Sequence, residues 1–381
     1  MKKDELLHQL CDLIRNDDGE YEIKNDYIIM KSCDFRNMSF GSTIKFMEKV
    51  VFVDCEFVNT SFANMILNLC TFIECDLTGG TFLHCTLSNI TFLKTNGQGT
   101  HFRDNSMDDV CFNDVSMDGL RISLNEDYAY DTFIYITSSV IKNMHLEGID
   151  SDAVIRIKYS HLCDAEIVDS CIGNRFDVCG AHMKRLYISG TNIHSSVIRD
   201  SDLSDSCIKS EYISPMCTNV NFSGSDFHVT DIDGARFVNC NMSKVEFDCS
   251  DVINSTFKNC ALVDTNMSDK YRMRNLEFIS SKFIGTNMSD LKFSDCEFSD
   301  CFMQDVHLAN TKFNRITESE PNYIEWFTIS DTNNVEWDGI DIANMDYSES
   351  HSTLKQAIIK ANKMNTKKEV KVSDVGINKT V

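Results

Sequence analysis

From Phe52 to Ile122 the chain places a large apolar residue at every fifth position, with one exception at Gly97. The series is Phe52, Phe57, Phe62, Leu67, Phe72, Leu77, Phe82, Leu87, Phe92, Phe102, Met107, Phe112, Met117 and Ile122. The residue two before each is mostly small or medium, as in Val50, Cys55, Thr60, Met65, Cys70, Cys75, Gly80 and Cys85. A period of five matches neither the 3.6 of a helix nor the 2.0 of a flat strand. It marks an internal repeat, and a repeat decides the architecture before any single element does.

The pattern returns in shifted phase. Weaker pentads run through Ile157, Leu162, Ile167 and Ile172, then through Met183, Ile188, Ile193, Ile198, Leu203 and Ile208. A third series is Phe222, Phe227, Ile232, Phe237, Met242, Phe247, Val252, Phe257, Leu262 and Met267, and a last one is Phe278, Phe283, Met288, Phe293, Phe298, Met303, Leu308 and Phe313. Each phase shift requires residues gained or lost, so a bulge or loop is expected near 124–150 and near 209–219. Pro215 falls in the second break and Pro321 just past the last pentad; these are the only prolines, and Pro cannot donate to a strand ladder.

One large and one small inward residue per five suits a square coil with one pentad on each side. Four sides make a coil of about 20 residues, and coils stack at the roughly 4.8 Å spacing of paired strands. The remaining three residues of each pentad face outward or turn the corner and read as polar. From Cys33 to Phe313 this predicts about 13–14 coils, a stack of order 65 Å. The expected core includes Phe52, Phe57, Phe62, Phe72, Phe82, Phe92, Phe222, Phe227, Phe237, Phe247, Phe257, Phe283, Phe293 and Phe298.

Cys75-Asp76-Leu77-Thr78-Gly79, Ser225-Asp226-Phe227 and Ala235-Arg236-Phe237 resemble the A-(D/N)-L-x-x consensus of the pentapeptide-repeat family. The resemblance covers about 280 residues. It implies an all-β fold, the right-handed quadrilateral parallel β-helix of that family. Cys, Thr, Val and Ser often replace Ala here, Phe often replaces Leu, and 125–150 fits poorly, so a loop or distorted coil is expected there.

The ends read as caps, giving short helices at both ends of the β-helix. Asp4–Arg15 carries Leu6, Leu7, Leu10, Leu13 and Ile14 on one helical stripe and would cover the first coil. Asn322–Trp337 holds both tryptophans, Trp326 and Trp337, with Tyr323 and Phe327. Ser352–Met364 reads as a second helix with Leu354, Ile358 and Ala361 on one face, followed by a Lys-rich tail. The expected organisation is a cap at 1–28, the β-helix at 29–315, an aromatic closing segment at 316–351 and a helix with tail at 352–381. The C-terminal segment offers a dimer contact; a monomer is the other expectation.

Composition changes this picture in two ways. Nine of the seventeen cysteines (Cys33, Cys55, Cys70, Cys75, Cys85, Cys240, Cys260, Cys296, Cys301) occupy the small inward position, where Cys serves as a compact buried hydrophobe. No C-x-x-C pair exists, so metal binding is not expected. The net charge is −22, yet residues 352–381 carry seven Lys against two acids, leaving −27 on residues 1–351. Such a surface disfavours nucleic acid and anionic membranes and favours basic partners or simple solubility. There is no signal-peptide pattern and no apolar run of the length a membrane span needs, which points to the cytoplasm and is compatible with export into a host cell.

Catalytic signatures are missing: no G-x-S-x-G, H-E-x-x-H, P-loop or dinucleotide fingerprint is present, and neither catalytic residues nor a cofactor are expected. His161-Leu162-Cys163 places two polar residues around an inward Leu, and Asp231-Ile232-Asp233-Gly234 resembles a fragment of a calcium loop without its later ligands. Both read more simply as the outward residues of a pentad. The reading that follows is a non-catalytic protein–protein interaction scaffold, similar to effector-like members of the family. Some such members precede a HECT-like ubiquitin ligase module, but the roughly 65 residues after Phe313 contain no cysteine to serve one. The alternative, suggested by Cys55-Glu56-Phe57 and Cys296-Glu297-Phe298, which resemble Qnr-type pentads, is a DNA mimic that binds a type II topoisomerase such as gyrase.

Overall fold

The computed structural model describes residues 3–15, 19–124, 132–149, 153–172, 176–190, 192–268, 272–308, 311–314, 323–326 and 336–337. The chain forms two compact units, Met1–Ser210 and Glu211–Val381.

In the first unit every coil contributes short strands to four faces, and each strand pairs in parallel with the strand one coil on. The first face stacks Met30, Phe52, Phe72 and Phe92, then Phe112, Ile136, Ile157, Val178 and Ile198. The third stacks Phe62, Phe82, Phe102, Ile122, Leu146, Ile167, Ile188 and Ile208. The second face is held by isolated bridges from Asp34 through Glu56, Asp76, Asn96 and Ser116 to His161 and His182. The fourth carries Met47, Leu67, Leu87 and Met107. In the second unit the same faces continue as separate ladders, for example Phe237, Phe257, Phe278 and Phe298.

The pentad dictates this geometry locally. The residue before each small position turns the corner in the left-handed region: Asp54, Asn59, Asn64, Leu69 and Glu74 have φ of 52–55°. Asn and Asp tolerate that conformation best, which explains their recurrence there. The large residue then points inward, and all fourteen phenylalanines expected in the core are at most 4% exposed. Their rings stack between coils, with Phe62, Phe82 and Phe102 at centroid separations of 4.5 and 4.6 Å. The exception at Gly97 has a packing reason: a Cβ there would meet Met117 Cγ at 3.1 Å, so the methionine of the next coil fills the space.

The small residue does more than make room. Its N–H is taken by the side chain of the small residue one coil on: Cys33 donates to Cys55 Sγ (3.4 Å), Ser139 to Ser160 Oγ (3.2 Å) and Ala235 to Ser255 Oγ (3.1 Å). Those hydroxyls and thiols in turn donate to main-chain carbonyls, as Ser139 Oγ does to Thr137 O (2.8 Å). Thr, Ser and Cys at this position are therefore hydrogen-bonding bridges between coils, and their burial is satisfied. Asn105 performs the same task with two groups, accepting from Cys85 N–H (2.7 Å) and donating to Phe82 O (2.9 Å).

Three expectations need correction. The second break is not a loop: Pro215 lies inside the extended strand Cys207–Thr218, buried. It aligns with Ala235, the small position whose N–H the backbone ladder does not require, so proline fits there. The phase shift is a single lost residue, since Cys217 takes the large position four after Ile213, and both are buried. Second, the poorly fitting stretch is regular from Thr132 to Ile149: Phe133–Thr137 pairs in register with the strand before it, and the coil is 24 residues long between Ser123 and Glu147. Third, the N-terminal helix spans Lys3–Cys11 and buries Leu6 and Leu10, stopping before Leu13 and Ile14. An antiparallel pair, Glu20–Lys24 with Tyr27–Lys31, leads from it into the first coil. At the other end Tyr323–Trp326 and Glu336–Trp337 pair as short strands. The helix and tail expected at 352–381 lie outside the described residues.

Candidate functional surface

The interior of each unit is filled by side chains, so chemistry has to reside on the outward rows. Parallel pairing brings each outward residue beside its counterpart one coil away, and the rows can be read as ladders of side chains.

On the first face of the first unit the rows are not polar. One runs Ile29, Val51, Thr71, Thr91, Cys111 and Tyr135; the other runs Val53, Ile73, Leu93, Asn113 and Thr137. Every residue in both is uncharged and all but Asn113 are half-buried. The strip ends at Arg156 and Lys158, with the Arg156 guanidinium 5.7 Å from the Tyr135 ring centroid. On a chain of net charge −22 this neutral strip was not expected, because the sequence reading treated all three non-core residues of a pentad as polar. Val51, Val53, Ile73 and Leu93 were the available signal, four aliphatic residues flanking the inward phenylalanines.

The second face of the same unit begins acidic. Asp34, Glu56 and Asp76 lie in register, with Asp54 and Glu74 on the adjoining corner, around a shallow groove of ≈ 350 Å³. Arg36 pairs with both Asp34 (2.7 Å) and Glu56 (2.9 Å), and its hydrogen bond holds the Asp34 carboxyl below the usual carboxylate range. The row then becomes neutral at Asn96, Ser116 and Val140 and reaches His161 and His182, whose rings stack at 4.8 Å. Leu162 is fully buried between the outward His161 and Cys163, as the simpler reading of that tripeptide has it. The third face carries a basic pair, His101 beside Arg121, with Arg103 in the neighbouring row. Partial burial, and then the Arg121 charge, lower the His101 pKa.

In the second unit Asp231 and Asp233 flank the buried Ile232, and Gly234 turns the corner at φ 71°. The two acids point outward with the strand and form no ion cage. Among the described residues no group of three His, Cys, Asp or Glu is placed to hold a metal ion. Asparagines line two corners: Asn219, Asn239 and Asn259 bond amide to amide at 3.0 and 2.8 Å, and Asn275 donates to Asn254 at 2.7 Å.

The described thiols are free, and the nine cysteines at small positions are all buried. Burial pushes the Cys70 and Cys249 thiols up to about 12, and the Cys296 thiol up to about 11. They remain protonated at neutral pH and are neither nucleophiles nor metal ligands. No described helix is long and apolar enough to cross a membrane.

Comparisons with known proteins agree with the ladders. A family model described as "Pentapeptide repeat region" matches residues 45–122, and "Pentapeptide repeats (8 copies)" matches 217–259. No curated protein sequence matches the chain. Among solved structures the chain is similar to HetL, a pentapeptide repeat protein involved in heterocyst differentiation regulation from the cyanobacterium Nostoc sp. strain PCC 7120. The two are 12% identical over 69% of this chain and 97% of that one, with a TM-score of 0.22. It is also similar to QnrB1, a plasmid-mediated fluoroquinolone resistance protein (14% identity, 63% of this chain and 91% of that one, TM-score 0.17). A third is the alginate lyase AlyF-OU02 in complex with G6 (9% identity, 94% and 90%, TM-score 0.34).

Proposed function

The chain is a pentapeptide-repeat protein, and from that premise we propose that it is a non-catalytic scaffold that recognises another protein through its outward rows. The observation that carries this is the neutral strip of the first unit, Val51, Thr71 and Thr91 beside Val53, Ile73 and Leu93, held in register on a strongly acidic chain. A flat β-branched surface desolvates at low cost, and its surrounding charge excludes nucleic acid and anionic membranes. The interior offers no cleft for a substrate, and the buried thiols are held protonated, which supports a binding role over catalysis. A cytoplasmic setting fits the many free thiols.

The topoisomerase alternative rests on one observation, the acidic start of the second face. Asp34, Glu56 and Asp76 give one charge per coil, about 4.8 Å apart, for three coils before the row turns neutral. A duplex carries a phosphate every ~3.4 Å along each strand without interruption. The interrupted row therefore favours the scaffold.

Partner capture by the immobilised full chain from bacterial and host lysates, with Ile73→Asp and Leu93→Asp as comparisons, tests the scaffold. A defined protein should be retained by the unaltered chain and lost from both variants while their unfolding midpoints hold. Capture of nothing from either lysate, or equal capture by the variants, refutes it. Gyrase supercoiling with and without a quinolone tests the alternative; inhibition or drug protection at micromolar protein would reinstate it.

A further inference from the structure

On the fourth face of the second unit one outward row reads Asp231, Asp251, Arg272, Lys292, Lys312. The five residues lie in direct register on consecutive strands. Two acids are followed by three bases, so like charges sit one coil apart, about 4.8 Å, on both halves. Like charges directly opposite one another in a sheet destabilise it. The neighbouring row adds Asp233 on the acidic half and Arg274 on the basic half. Within the chain the two halves meet in a single printed ion pair, Arg272 with Asp251 at 3.2 Å, where the Arg272 side chain remains 77% exposed.

We propose that this face is a self-complementary surface that binds a second copy of the same chain. Its charges repeat at the pitch of a strand ladder, whereas alternate residues of an extended peptide are about 6.7 Å apart and fall out of step after two contacts. A second copy carries an identical pitch. Rotation by a half-turn about an axis along the strand direction, set between Asp251 and Arg272, reverses the order of the coils and keeps row against row. Asp251 then faces the partner copy's Arg272, Asp231 faces its Lys292, and both contacts occur twice, as an isologous pair requires. The other in-plane half-turn, with coils running the same way, puts acids on acids and bases on bases. The charge order thus selects the antiparallel arrangement. The strip is one pentad wide and five coils tall, well under the roughly 800 Å² per partner of a standard interface, so the association is weak, reversible and salt-sensitive.

Sedimentation of the full chain tests this, at protein concentrations up to about 100 µM. In low salt a concentration-dependent dimer is expected. Raising salt from about 50 to about 300 mM should weaken it by about tenfold or more. Asp231→Lys and Lys292→Asp each place like charges at two symmetry-related contacts, and each variant alone should lose about a hundredfold in affinity. Mixing the two variants restores opposite charges at both contacts and should restore the dimer. Circular dichroism and unfolding midpoints of both variants are measured first, and Lys292→Gln, which removes charge without reversing it, should be intermediate. A monomer at every concentration in low salt overturns the proposal. So does undiminished association of the single variants, and so does failure of two folded variants to associate on mixing.

Discussion

Phe237→Ala is the sharpest test of the inward assignment. Phe237 is fully buried, stacks on Phe257 at 5.0 Å and 21°, and meets Phe222 edge-on at 6.2 Å and 81°. An aromatic side chain of this kind buries about 200 Å², which at ~25 cal/mol/Å² corresponds to about 5 kcal/mol of transfer free energy measured from an extended chain. A compact unfolded state lowers that figure, whereas the cavity left between rigid coils raises it, and large-to-small core changes of this type cost about 3–5 kcal/mol. With a urea m-value of about 2 kcal/mol/M, a loss of about 4 kcal/mol moves the midpoint down by about 2 M. Urea titration followed by far-UV circular dichroism and by tyrosine or tryptophan fluorescence measures it, and coincidence of the probes checks two-state behaviour for this unit. Ile66→Ala is the control: Ile66 is 46% exposed and its loss should stay within about 0.5 kcal/mol. A midpoint for Phe237→Ala equal to that of Ile66→Ala would show that the packing derived from the period of five is wrong.

Four further outcomes follow from the small positions and corners. Asn105→Leu strands the Cys85 N–H and the Phe82 carbonyl and should cost about 2–4 kcal/mol in the same titration, against a smaller loss for Asn105→Ser, whose hydroxyl bridges coils elsewhere. Pro215→Ala should be nearly neutral, whereas Thr256→Pro removes a ladder bond from Thr256 N to Ala235 O (2.9 Å) and should cost about 3 kcal/mol or more. Thiol-exchange reagents at pH 8 should leave Cys70 and Cys249 unmodified until the chain is unfolded, because their pKa values are near 12; rapid native labelling of either would contradict their burial. Asp164, lowered in pKa by its hydrogen bond to Arg185, contributes stability that is present above the unfolded carboxylate range and is lost as pH falls through the lower folded value. Asp164→Asn should therefore reduce stability at pH 7 and make no difference in strong acid, as read by thermal midpoints at the two pH values.

The interior was legible because close packing enforces it. Every coil must put a large residue beside a small one, and any failure, such as Gly97, is repaired by a neighbour, here Met117. The series from Phe52 to Ile122 and from Phe222 to Met267 therefore announced themselves. Less regular stretches did not. Ile136, Ile141 and Leu146 are fully buried, yet they follow a 24-residue coil and fell out of the counted phase. Pro215 read as a break because prolines interrupt ladders, and only the side-chain capture of N–H groups at the small position shows why this one does not. The neutral strip was hidden for a different reason. Val53, Ile73 and Leu93 each sit one residue after a phenylalanine, and a search for period five discards that position.

Outward rows carry the information that decides partners, and their content depends on coil length as much as on residue type. Asp231, Asp251, Arg272, Lys292 and Lys312 are neighbours only because successive coils take 20, 21, 20 and 20 residues, with the extra residue placed before Arg272. Had that residue been inserted one pentad later, Tyr271 would stand where Arg272 now faces Asp251, and the ion pair at the centre of the row would be lost. The inward positions would have absorbed the change by a shift of phase, as they do after Ile122, with no loss of burial. A solenoid of this kind can therefore rearrange its exposed ladders by single insertions at its corners while its core stays intact. This places the constraint on recognition in the coil lengths. Deleting Lys270 or Tyr271, at the end of the pentad before Arg272, should break the charge order without the cost of a core substitution. Loss of salt-sensitive association, with the unfolding midpoint lowered by no more than about 1 kcal/mol equivalent, is the expected result. A collapse of stability instead would show that coil length is fixed by the core.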